Sequence, residues 1–274
     1  MSEVFIMKVC NFLIIVMFMC MCTAAVCSAG TIDDLLADAE QGDADAQYNL
    51  GESYGLGEGV EQDDEKAVYW LTKAAEQGHA NAQDSLGVFY YYGRGVAQDY
   101  GKTLEWWTKA AEQGDADAQN NLGVLYYYGT GVDQNDEKAL KWYTKAAEQG
   151  YAQGQLNLGV LYHYGRGVEQ DDEKSFYWYS KAAEQGNVEA QTFVGVSYDI
   201  GKGVEQNEEK AVYWYTKAAE QGDADTQYFL GLCYGIGKGV EQDDEKSFYW
   251  YTKAAEQGHA KAQYGLGLCY PRFS

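Results

Sequence analysis

The sequence predicts an all-α solenoid built from 36-residue helix-turn-helix repeats, and three observations predict it. The tripeptide Glu-Gln-Gly begins at Glu40, Glu76, Glu112, Glu148, Glu184, Glu220 and Glu256, always 36 residues apart, and a fixed period of roughly 20–50 residues is the signature of stacked supersecondary units. Within each period, two stretches with small and apolar residues three and four apart flank a Gly-x-Gly turn, the spacing of helix faces separated by a breaker. One Pro and 32 Gly in 274 residues, 46% of them hydrophobic, exclude collagen-like and Pro-rich disordered chains and allow a sizeable core.

In chain order, residues 1–29 read as a secretory signal peptide. Lys8 precedes an apolar run from Val9 to Cys22, interrupted by Asn11, and small residues close the segment at Cys27-Ser28-Ala29, placing cleavage after Ala29. Translation from Met7 is compatible with this order. The competing reading is an uncleaved anchor, since Val9 to Val26 approaches the lower length limit of a membrane span. Val26 before Cys27 argues against a lipoprotein signal. Residues 30–42 follow as an N-terminal capping helix, with Ile32, Leu35, Leu36 and Ala39 on one face.

Six full repeats occupy residues 43–258. In the first, helix A opens at Asp43, a short acceptor suited to an N-cap, and carries Gln47, Leu50, Gly51 and Tyr54 on one stripe. Gly55-Leu56-Gly57-Glu58-Gly59 breaks the helix. Helix B follows the acids Asp63-Asp64-Glu65 at its positive end and runs through Trp70, Leu71, Ala74 and Ala75 to Gly78. Residues 259–274 form a C-terminal half repeat, whose Leu266 or Leu268 face is expected to favour self-association. Four of the 6 Cys lie in the signal segment. The other two, Cys233 and Cys269, occupy equivalent places in adjacent repeats. Stacked helices sit roughly 8–10 Å apart, beyond the roughly 7 Å Cα reach of a disulfide, so two buried free thiols are expected.

The unit Ala-x-Ala-Gln-x-x-Leu-Gly-x-x-Tyr-x-x-Gly-x-Gly-Val, followed by Lys-Ala-x-x-Trp-Tyr-x-Lys-Ala-Ala-x-Gln-Gly, closely resembles the Sel-one-like repeat, a tetratricopeptide-related family. The fourth unit matches at Leu158, Gly159, Tyr162, Gly165, Gly167, Val168, Lys174, Trp178, Tyr179, Lys181, Ala182, Ala183, Gln185 and Gly186. The resemblance covers Asp43 to Tyr270 and implies a right-handed α-α superhelix that acts as a non-catalytic adaptor for a protein or peptide partner. Some secreted Cys-rich members are reported to bind penicillin-like compounds, which supplies the alternative of a β-lactam-binding or β-lactamase-like hydrolase. This chain lacks their paired Cys in every repeat.

Catalytic and metal patterns fail against the repeat. Gly51-Glu52-Ser53-Tyr54-Gly55 fits G-x-S-x-G, yet Ser53 falls late in helix A, where sister repeats hold Phe89, Leu125, Leu161, Ser197, Cys233 and Cys269. No Ser-x-x-Lys occurs, and the 3 His match no ligand spacing; His79 and His259, at the place of Asp43, read as solvated. The acid runs such as Glu169-Gln170-Asp171-Asp172-Glu173 are accounted for by the helix dipole and solubility. No cofactor is expected. A formal charge of −22 disfavours nucleic acid and anionic membrane as partners.

Comparing the repeats with one another locates the variable face of helix A, at the places of Asp45, Tyr48, Asn49, Glu52, Gly55 and Leu56. In tetratricopeptide-like solenoids the inner helices line the concave groove, so this face is the expected binding surface. Its distinctive patch is Tyr91 and Tyr92, Tyr127 and Tyr128, His163 and Tyr164. Aromatic groups with polar tips suit interfaces. Tyr91, Tyr127 and His163 stand out because sister repeats carry Gly55, Asp199 and Gly235. Tyr92, Tyr128 and Tyr164 share the place of Leu56, Ile200 and Ile236, where packing under the turn competes with binding. The sequence places the chain in the secretory pathway and leaves periplasm, endoplasmic reticulum lumen and exterior open.

Overall fold

The computed structural model describes residues 32–269, with the backbone alone for Leu268 and Cys269. The signal segment 1–29, with its Cys residues, lies outside the described residues. Fourteen helices and no strand occur among the described residues. The chain divides into two compact units, one ending at Gln98 and the other beginning at Asp99. The first contains α1 (Ile32–Glu40), α2 (Ala44–Leu56), α3 (Asp64–Glu76) and α4 (Ala80–Tyr92). The second contains α5 (Tyr100–Glu112), α6 (Ala116–Tyr128), α7 (Asp136–Glu148), α8 (Ala152–Tyr164), α9 (Asp172–Glu184), α10 (Val188–Ile200), α11 (Glu208–Glu220), α12 (Ala224–Ile236), α13 (Asp244–Glu256) and α14 (Ala260–Cys269). The fold is the all-α solenoid of 36-residue helix-turn-helix repeats, in the right-handed α-α superhelix class.

Caps fix the helix ends. Asp43 holds an extended backbone and its Oδ1 accepts the Ala46 N–H at 2.7 Å, while Asp171 accepts that of Lys174 at 2.8 Å. Helix A of each full repeat stops at a left-handed glycine, such as Gly165 with φ 67°, a conformation that costs a side-chain-bearing residue free energy. Asp172 and Glu173 in the first turn of α9, and Lys181 in its last, complement the helix dipole. His79 and His259 are not solvated. Each is an N-cap whose Nδ1 accepts the N–H of Ala82 or Ala262 at 3.1 Å. Each ring also stacks on an aromatic in helix A of the preceding repeat, His79 on Tyr48 at 4.7 Å and His259 on Tyr228 at 4.8 Å. Imidazole offers both an acceptor and an apolar face, which the short Asp lacks.

Packing within a repeat depends on one close approach. A methyl group at Gly159 would lie 2.6 Å from Tyr179 Cδ1 and 3.3 Å from the Ser175 carbonyl oxygen, so α8 and α9 meet with only a hydrogen between backbone and ring. Leu158, Leu161 and Leu156 of α8 are fully buried, worth roughly 1.5–3 kcal/mol each against exposure. Ser175 Oγ donates to the Gly159 carbonyl at 2.9 Å, closing the same seam with a polar bond.

Glutamines pair within each repeat and bond back to the backbone of the preceding one, forming a ladder. Gln155 Nε2 donates to the Ala147 carbonyl at 3.2 Å, and its Oε1 accepts from Gln185 Nε2 at 2.8 Å. Gln185 Nε2 also donates to the Gly150 carbonyl at 2.9 Å. The pairing recurs as Gln149 to Gln119, Gln221 to Gln191 and Gln257 to Gln227, and in the first unit as Gln77 to Gln47. Among the described residues no buried side-chain polar atom lacks a partner.

Candidate partner-binding surface

Helix A sets this surface through its register. The stripe Gln155, Leu158, Gly159 faces inward. At 100° per residue, the last position of helix A falls well off that stripe, immediately before the left-handed glycine. In the second unit this position is Tyr128, Tyr164, Ile200 and Ile236, which are 39%, 41%, 61% and 68% exposed. Tyr92 holds the same place in the first unit and is also exposed. Each keeps a solvent-facing part immediately before the left-handed glycine cap.

The preceding position behaves differently. Tyr127 is only 5% exposed, with the Arg166 guanidinium 4.2 Å from its ring centroid and Arg166 Nη2 held by Asp136 Oδ1 at 2.9 Å. It is therefore not an accessible contact residue: the ring is buried beneath the Arg166 cation and the Asp136 carboxylate that holds it. Tyr91 is half-buried, edge-on to Tyr92 at 4.9 Å, and its carbonyl accepts from Gln98 Nε2 at 2.7 Å. His163 is half-buried, 4.7 Å edge-on to Tyr164, with Nδ1 4.0 Å from Asp172 Oδ1. Burial and the nearby Lys202 ammonium hold its pKa below the usual imidazole range against the pull of Asp172. The second unit thus brings Tyr128, His163 and Tyr164 to its surface, joined by Ile200 and Ile236, while Tyr127 belongs to the core.

Other places of the variable face are also occupied by inter-repeat contacts. Asp45 Oδ1 lies 3.2 Å from His79 Nε2. In the second unit, buried Asn120 accepts from Asn157 Nδ2 at 2.8 Å. Glu52, an acid where sister repeats hold aliphatic residues, is half-buried, and desolvation raises its carboxyl pKa against the hydrogen bond from Ser85. Ser53 sits in the last turn of α2, its carbonyl accepting from the Gly57 N–H at 2.9 Å, with no strand before it. Among the described residues, no three His, Cys, Asp or Glu gather around a metal-sized space, and no helix is long and apolar enough to cross a membrane. Cys233 is a buried free thiol whose pKa burial pushes up to about 11; the side chain of Cys269 lies outside the described residues.

One exposed feature escaped the sequence reading. Tyr177, Tyr213 and Tyr249 project from helix B, each edge-on to the following Trp. The Lys four residues on reaches back over each ring. Their signal was the Tyr-Trp doublet recurring six residues into helix B, outside the inward Tyr and Ala stripe.

The Sel1 repeat profile matches residues 44–79, 80–115, 116–151, 152–187, 188–223, 224–259 and 260–270. The chain belongs to the Sel1 repeat family. It superposes with a TM-score of 0.84 and 42% identity on a protective antigen of uropathogenic Escherichia coli strains that displays an SLR fold, covering 88% of this chain and 51% of that one. A Sel1 repeat protein from Oxalobacter formigenes superposes with a TM-score of 0.73 and 35% identity, covering 81% of this chain and 89% of that one. The Sel1-repeat-containing protein YbeQ of Escherichia coli K12 is 44% identical over 53 residues, 19% of this chain and 16% of YbeQ. The chain therefore spans about half of the antigen and a small part of YbeQ. Sel1 repeats are generally protein-interaction scaffolds.

Proposed function

We propose that this Sel1 repeat protein is a non-catalytic scaffold that holds a protein or peptide partner on the helix A face of its second unit. The carrying observation is the row Tyr128, Tyr164, Ile200 and Ile236, exposed apolar side chains at one register position in four successive repeats whose neighbouring positions are buried or internally bonded. Large side chains kept in water at a fixed repeat position favour contact with a partner over packing. Tyr92 offers the same chemistry in the first unit, and Tyr91 and His163 present ring edges beside the exposed tyrosines. Affinity capture with wild type and with Tyr164→Ser/Ile200→Ser tests the reading. Loss of the captured protein with unchanged circular dichroism is expected, and capture of the same protein by both would refute it.

The secretory reading is proposed alongside, on the signal-like order of residues 1–29. N-terminal sequencing of the native protein should begin at Gly30; a start at Met1 or Met7 would refute cleavage. Self-association through α14 is proposed on its exposed Tyr264 rather than on Leu266, which packs against the Tyr251 cluster. A strict monomer in sedimentation equilibrium would remove it.

A further inference from the structure

We infer that the turn edge between the fourth and fifth repeats binds a cationic protein segment, one that sets lysine or arginine side chains between apolar anchors. The inference rests on the scaffold reading and names the chemistry of its partner. A cleft of about 600 Å³ opens there, lined by Asp171, Asp172, Glu173 and Glu205 beside the turn glycine Gly203. Two of these carboxylates are engaged: Asp171 caps α9 and pairs with Lys174 at 2.9 Å, and Asp172 pairs with Lys202 at 3.4 Å. Glu173 and Glu205 are exposed and form no ion pair among the described residues.

Two exposed large side chains adjoin residues of the cleft wall. Tyr164 stands against His163, which reaches to within 4.0 Å of Asp172, and Ile200 immediately precedes Gly201 in the cleft wall. The cleft therefore offers two exposed carboxylates, Glu173 and Glu205, with an exposed aromatic and an exposed aliphatic on residues that adjoin its lining. The cations nearby, Arg166 and Lys202, are held by Asp136 and Asp172 and leave the local field negative. With a chain charge of −22, long-range attraction also selects a cationic partner and repels an acidic one. The apolar flanks supply what screened surface charge alone does not.

The probe is a fluorescein-labelled peptide alternating lysine and leucine, with a peptide alternating glutamate and leucine as control, titrated with the full chain by fluorescence anisotropy. The lysine peptide should bind, weaken as salt rises from about 50 to 300 mM, and lose about two- to tenfold in affinity with Glu173→Gln/Glu205→Gln. Tyr164→Ser/Ile200→Ser should cost about tenfold or more. Equal binding of the two peptides, or no effect of Glu173→Gln/Glu205→Gln, would overturn the cationic assignment. The scaffold reading stands or falls separately, on whether the native captured partner still requires Tyr164 and Ile200. Circular dichroism of each variant identifies unfolding, and Glu148→Gln, remote in sequence and on another helix B, should bind as wild type.

Discussion

Replacing Gln155 by Leu tests whether the glutamine ladder, rather than apolar packing alone, ties neighbouring repeats. The substitution keeps side-chain size and removes two bonds: Nε2 to the Ala147 carbonyl at 3.2 Å, and the acceptor for Gln185 Nε2 at 2.8 Å. Neither partner is wholly orphaned, because the Ala147 carbonyl still accepts the Gly150 N–H at 3.0 Å and Gln185 still reaches the Gly150 carbonyl. At about 0.5–1.5 kcal/mol per net hydrogen bond, the expected cost is about 2 kcal/mol, at the low end of the penalty for stranding buried polar groups. With a urea slope of about 2 kcal/mol per M, the midpoint should fall by about 1 M. Gln155→Glu should cost more at neutral pH, since it buries a carboxylate against the Ala147 carbonyl. The folded-state pKa of that carboxylate is expected to be raised, so its stability deficit should shrink as pH falls toward about 4 and grow as pH rises. Exposed Gln170→Leu serves as control and should stay within about 0.5 kcal/mol. A Gln155→Leu midpoint at or above that of wild type would refute the ladder's role.

Gly159→Ala should destabilise the second unit by about 1–3 kcal/mol, because the methyl would meet Tyr179 Cδ1 at 2.6 Å in an already filled seam. Gly159→Ala/Tyr179→Leu should recover part of that loss in urea unfolding, and no recovery would contradict the steric account. The Cys233 thiol, with its pKa pushed up to about 11, should resist alkylation at pH 8 in the folded chain and react fully in urea, read by mass spectrometry of its peptide. The unfolded thiol ionises at about 8.5, so the stability this group contributes is fully present below that pH and is lost as pH rises from there toward about 11.

The repeat fold was legible because its determinants are local and reiterated. Asp43, the Gly57 turn and the Gln47–Tyr54 stripe each announce their role in sequence, and caps, turn and buried face follow. The binding face was less legible because variability has two causes that look alike in sequence. Tyr127 varies from Gly55 because Phe89 of the next repeat closes in on Gly55, where a methyl would lie 3.0 Å from its ring, whereas the sister of Phe89 beside Tyr127 is Leu161; the Arg–Asp pair is common to both places, as Arg94–Asp64 and Arg166–Asp136. Tyr164 and Ile200 sit at a position that stays exposed at the end of helix A. The discriminating sign was angular: the last position of helix A lies off the inward stripe. For His79 and His259, reading only their place at the helix start missed the stacking partners Tyr48 and Tyr228, in helix A of the preceding repeat.

The glutamine ladder also bears on how such a chain can change length. Each rung joins two amides 30 residues apart within one repeat, and both reach back to the backbone of the preceding repeat: Gln155 and Gln185 to the Ala147 and Gly150 carbonyls, Gln191 and Gln221 to those of Ala183 and Gly186. Excising residues 152–187 would join Tyr151 to Val188 and bring Gln191 into the place of Gln155, against the same Ala147 carbonyl. A cut that is not a whole multiple of 36 residues would set a helix A where a helix B is needed, or turn a buried amide outward. Gain and loss of whole 36-residue units is thus the route by which this scaffold can lengthen or shorten its partner face without redesigning a single junction.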